Sequence, residues 1–144
     1  MKRIPSVKTA MTPFPYSVNA DASVDEALAF MREHHIRHLP VTDDGDLAGM
    51  VSDRDIKLML GPDFAYPSGS ELTVGDAMVR DAYVVDLETR LDLVVEHMAE
   101  EHLGSAVVTR KGRLAGVFTV TDACRVLADT LREQLRRDGG GSAA

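Results

Sequence analysis

The chain has 144 residues, 44% apolar and 27% charged, with no Trp, a single Cys and a formal net charge of −7. A chain of that length buries roughly 70% of the surface it exposes when unfolded, enough for a core drawn mostly from Val, Leu, Ala and Met. The charge argues against nucleic acid, because phosphate binding needs a concentrated basic face and local exceptions such as Arg37-His38 and Arg54-Lys57 do not make one; no run nears the ~18 apolar residues of a membrane span.

Met1-Lys2-Arg3 is followed by no apolar stretch, so no secretory signal is expected, and Cys124 has no disulfide partner. The expectation is a cytoplasmic protein. From Val7 the chain enters a segment that it later repeats. Residues 7–60 and 74–127 align without a gap at an offset of 67, with 17 of the 54 pairs identical. Two copies of this length suggest a pair closed about a pseudo-twofold axis rather than a solenoid.

In the first copy, Tyr16 to Val18 is a strand candidate. Ser23 and Glu26 then stand at capping-box spacing before Val24, Ala27, Leu28 and Met31, which share a helical face. Leu39 to Thr42 and Leu47 to Val51 flank the turn signal Asp43-Asp44-Gly45, and a second helix follows Ser52. Gly61 to Thr73, with Pro62, Pro67, Ser68, Gly69 and Ser70, reads as a linker. The second copy repeats the helical stripe as Leu91, Val94, Val95 and Met98, and the hairpin around Arg110-Lys111-Gly112. Its final helix runs through Leu127, Leu131 and Leu135 to Arg136-Arg137, with the last six residues expected to be disordered. The domain reading is a repeat over 7–60, a linker over 61–73, a repeat over 74–128, and a helix extension with a tail over 129–144.

The most pointed motifs close the two hairpins: Ser52-Asp53-Arg54-Asp55 and Thr119-Val120-Thr121-Asp122. A hydroxyl residue followed three positions on by an acid caps a helix. The same geometry offers backbone N–H groups to a phosphate and a carboxylate to a ribose. His34, His35 and His38 are close in sequence, but a helix ending near His35 separates them as metal ligands. His35 and His102, equivalent in the repeat, suit helix C-termini, where an imidazole can serve the last carbonyls. Cys124 corresponds to Lys57 and has no His tied to it by the repeat. Phosphate-loop, dinucleotide-binding, nucleophile-elbow and Cys-x-x-Cys motifs are missing, which moves the expectation from catalysis to binding.

With Ile36-Arg37-His38-Leu39-Pro40-Val41 entering the first hairpin and Leu47-Ala48-Gly49-Met50-Val51-Ser52-Asp53-Arg54-Asp55-Ile56 leaving it, the chain resembles a tandem CBS-domain pair, the Bateman module, from residue 7 to about 128. The resemblance implies an α+β fold of two β-α-β-β-α repeats packed through their sheets, with no attached catalytic domain and no enzymatic activity. It implies a regulatory module that senses AMP, ADP, ATP, S-adenosylmethionine or NAD, without an obligatory cofactor, and signals to a partner protein. One cleft would take Pro15, Tyr16, Ile36, Arg37 and His38 with Thr119, Thr121 and Asp122. Its twin would take Ala82, Tyr83, Leu103, Gly104 and Ser105 with Ser52, Arg54 and Asp55. A homodimer is also implied, burying the repeated faces Val24/Leu28/Met31 and Leu91/Val95/Met98. The alternative is a ligand-free dimerisation or docking module.

Overall fold

The first repeat supplies strands β1 (Thr12–Pro13) and β2 (Val18–Asn19), helix α1 (Val24–His34), strands β3 (His38–Asp43) and β4 (Asp46–Ser52), and helix α2 (Asp53–Leu60). The second supplies the one-turn helix α3 (Val74–Ala77), strand β5 (Val84–Asp86), helix α4 (Leu91–Glu100), strands β6 (Ser105–Arg110) and β7 (Arg113–Thr119), and helix α5 (Val120–Gly141). This computed structural model describes residues 3–13, 15–61 and 72–141; most of the expected linker and the last three residues lie outside them.

Local chemistry sets the element ends. The Ser23 hydroxyl accepts the Glu26 N–H at 3.1 Å and starts α1. At its other end His35 takes φ 54 and its backbone N–H turns back to the Arg32 carbonyl. His102 follows α4 with φ 57. Left-handed backbone therefore closes these helices, and neither imidazole bonds to the last carbonyls in the way the sequence suggests. Asp44 and Gly45, with φ 52 and 85, and Lys111 and Gly112, with φ 52 and 79, make the two-residue turns that match strand twist. Both hairpins bulge at equivalent places, after Val41 and after Val108.

The strands form two sheets, β2-β3-β4 and β1-β7-β6-β5. The second sheet shows an exchange between repeats: β1, from the start of the first repeat, pairs with β7, Thr12 opposite Val117. The start of the second repeat does the reverse, with Val79 and Met50 exchanging backbone hydrogen bonds of 2.8 and 3.0 Å. Val7 accordingly fills the core of the second repeat beside Val94, Val108 and Phe118, while Val74 fills that of the first beside Leu39, Val51 and Ile56. Between the sheets, Met50, Val107 and Val117 pack with Leu47, Ala82 and Leu114.

The helix stripes proposed for a dimer face are spent inside the fold. Val24, Met31, Leu91 and Met98 are buried, and Leu28 and Val95 pack half-buried on the same cores. Apolar periodicity identifies a buried face without naming what buries it, and here the repeat's own sheet does so. Helix α5 also departs from expectation by running through Gly139 to Gly141. Glycine costs about 1 kcal/mol in a helix but does not forbid it, and extending a formed helix adds a hydrogen bond per residue. Among the described residues no helix is long and apolar enough to cross a membrane.

Candidate functional site

Hairpin pairing brings the site together from the first repeat. His38, at the start of β3, lies opposite Ser52, at the end of β4. The Asp53 N–H donates to the Arg37 carbonyl at 3.0 Å, so the entrance to β3 and the first turn of α2 share one end of the sheet. There the capping box forms in full. Ser52 Oγ accepts the Asp55 N–H, and Asp55 Oδ2 accepts the Ser52 N–H, each at 3.0 Å.

Facing this corner across the inter-sheet contact are Ala82, Tyr83, Leu103, Gly104 and Ser105 of the second repeat. A cleft of about 730 Å³ lies between, lined by all of these together with Ser52, Arg54, Asp55, Arg37 and His38. The residues that the resemblance assigns to one of its two clefts all line this cavity. Arg37 and His38 are the departure. Assigned to the other cleft, they line this one. The His38 imidazole reaches the second repeat, its Nε2 3.0 Å from where a Cβ on Gly104 would stand. Gly104 occupies the position of Arg37 in the repeat, and only its missing side chain leaves that room.

Electrostatically the cleft is mixed. Arg37 and Arg54 have no ion-pair partner among the described residues. Asp53 lies 3.4 Å from Lys57 in an exposed pair of small energetic worth. Burial holds the His38 imidazole below its ordinary value, an effect that Asp53 and Asp55 oppose and Arg37 reinforces. Burial raises the Tyr83 phenol, whose ring lies 4.3 Å from that of His97. Met50, Asp53, Leu58, Val79, Asp81, His102, Val107 and Val120 also line the cleft and escaped the sequence reading. The identity of Met11 with Met78 was the available signal for Val79, since it extends the repeat upstream of its first strand.

The remaining assigned residues stand outside this cleft. Tyr16, 51% exposed, packs against Phe30 and His34 with ring separations of 5.2 and 4.2 Å. Ile36 lines a smaller cavity of about 330 Å³ beside Leu28, Arg32 and His35. Thr119 and Asp122 cap α5, and Thr121 is exposed on its first turn. Neither cavity takes in Pro15, Tyr16, Thr119, Thr121 or Asp122. His34, His35 and His38 part company, the first on Tyr16, the second at the helix end and the third in the cleft. Cys124 is exposed on α5.

Comparison with known proteins agrees with this architecture. The family model for the CBS domain matches residues 7–61 and again 74–129. CBS domain-containing protein YhcV of Bacillus subtilis is 25% identical over 138 residues, covering 96% of this chain and 91% of its own length. The CBS domain pair of protein MJ0100 in complex with 5′-methylthioadenosine and S-adenosyl-L-methionine superposes with a TM-score of 0.78 at 24% identity, over 89% of this chain and 99% of that one; this likeness speaks to fold alone. The structure of CBSX2 in complex with AMP has a TM-score of 0.76 at 27% identity, over 87% and 97%.

Proposed function

Because this chain belongs to the CBS-domain family and carries two such domains, we propose that it is a regulatory module whose inter-repeat cleft binds an adenosine-containing ligand. The observation that carries the proposal is the corner where Ser52, Arg54 and Asp55 face Tyr83, Gly104 and Ser105 across one cleft. The capping box uses Asp55 Oδ2. Its Oδ1 has no partner among the described residues and is available to ribose hydroxyls, while Arg37 and Arg54 suit phosphate oxygens. A relative of the same fold has been solved with AMP.

A ligand touching both repeats favours their closed arrangement by its differential affinity for the closed and open states, and a partner protein reads that shift. AMP, ADP, ATP, S-adenosylmethionine and NAD are the ligands to test, by thermal melting followed by calorimetry. Ligand at about a hundredfold over Kd adds about 2.7 kcal/mol of stability. A rise in Tm with one of them supports the reading. A flat response to all five favours the ligand-free docking module instead.

Homodimerisation and a cytoplasmic setting belong to the same reading. The dimer must use surface other than the α1 and α4 stripes, since the two cores consume those. Light scattering at micromolar concentration decides it: twice the 15.7 kDa of one chain supports the dimer, and a single-chain mass contradicts it.

A further inference from the structure

The two capping elbows occupy equivalent positions in the repeat and yet differ in what their atoms leave available. We propose that the chain holds one adenosine-ligand site, the Ser52–Asp55 cleft, and that the equivalent Thr119–Asp122 elbow is a structural cap whose carboxylate is already engaged. The proposal rests on the nucleotide reading above.

Asp122 is 6% exposed and both of its carboxylate oxygens are engaged. Oδ2 accepts the Thr119 N–H at 3.0 Å and the Thr119 hydroxyl at 3.2 Å, and Oδ1 accepts from Arg125 Nη1 at 3.4 Å. The Thr119 hydroxyl proton, which a phosphate oxygen would need, is therefore already donated. At the other elbow Ser52 Oγ accepts from the Asp55 N–H and has its own proton to give, and Asp55 has one oxygen to spare.

A single substitution within the repeat makes the difference. The position of Arg125 on α5 is occupied on α2 by Leu58, which is 72% exposed and lines the cleft. A guanidinium one helical turn beyond Asp122 engages the second oxygen of that carboxylate; a leucine beyond Asp55 cannot. Cations follow the same division. Arg54 is replaced by Thr121, and Arg37 and His38 by Gly104 and Ser105. Arg37, His38 and Arg54 all line the one cleft, whereas at the other elbow the carboxylate is engaged and the cation beside it, Arg125, is paired with it.

Calorimetric titration of the full chain with AMP tests this. One AMP per chain is expected. Asp55→Asn should weaken binding about tenfold or more by removing the anionic acceptor, and Asp122→Asn should leave it within about threefold. Arg125→Ala should leave the affinity of that site within about threefold. Two AMP per chain, or binding that survives Asp55→Asn, overturns the single-site assignment while the nucleotide reading stands. A parent chain that binds none of AMP, ADP, ATP, S-adenosylmethionine and NAD overturns the adenosine-ligand reading itself, and the assignment with it.

Discussion

Gly49→Ala should be among the most damaging small substitutions in this chain, because it strikes the exchanged segment that ties the second repeat to the first. A Cβ at Gly49 would run into the Val79 carbonyl oxygen, with the Val79 carbonyl carbon at 3.2 Å and Arg80 Cα at 3.3 Å. These are backbone atoms and no rotamer relieves them. Val79 could move only by giving up its two hydrogen bonds with Met50, at 2.8 and 3.0 Å. Each bond is worth roughly 0.5–1.5 kcal/mol, and overpacking typically costs about 1–3, so a total of about 2–6 kcal/mol is expected. At about 4 °C per kcal/mol for a chain of this size, Tm should fall by about 8–24 °C. Scanning calorimetry is the assay, with Gly139→Ala as the control, since nothing lies within 4 Å of a Cβ there and Ala favours a helix. The control should leave Tm unchanged or raise it. A Gly49→Ala protein melting within about a degree of the parent would refute the contact and the exchange of segments built on it.

Other consequences are separable. Val7→Ala and Val74→Ala each remove a fully buried side chain and should cost about 2 kcal/mol. Hydrogen exchange should place the loss in the opposite repeat, β6 and β7 for Val7 and β3 and β4 for Val74; loss within the same repeat would contradict the exchange. Because His38 is harder to protonate folded than unfolded, its contribution is flat above its ordinary value. Stability then falls as pH drops through that value toward the lowered one in the folded chain. The groups that set this balance are Asp53, Asp55 and Arg37, and His38→Gln should flatten the decline in Tm between about pH 7 and about pH 5. An unchanged decline would assign it to other groups. Lys8 and Glu88 pair at 2.8 Å but stay 51% and 63% exposed, so Lys8→Ala should change stability by about 0–1 kcal/mol in a denaturant titration.

Much of this architecture is legible in short-range pattern. The hairpin turns, the Ser23 cap and both elbow caps depend on residues within a few positions of each other, and they stand where spacing puts them. The exchange of N-terminal segments is illegible for a physical reason. Val7 and Val74 are the same residue at the same place in the repeat, so packing on its own repeat and packing on the other have the same pattern. Arg37 and His38 show a related limit. Read along the chain they accompany Ile36, but the His38 imidazole stands against Gly104 of the second repeat, a contact between repeats that no local spacing displays. The Val24 and Leu91 stripes likewise display an apolar face whose partner, sheet or second chain, is written in the tertiary structure alone.

The central claim is that one adenosine-containing ligand bridges the two repeats at the Ser52–Asp55 cleft. Backbone amide chemical shifts of the labelled protein, followed as AMP is added, test it most directly. The account predicts that Ser52, Arg54 and Asp55 of the first repeat move in step with Tyr83, Gly104 and Ser105 of the second, with a common saturation point. Shifts confined to one repeat, or centred on Tyr16, Thr119 and Asp122, would contradict it.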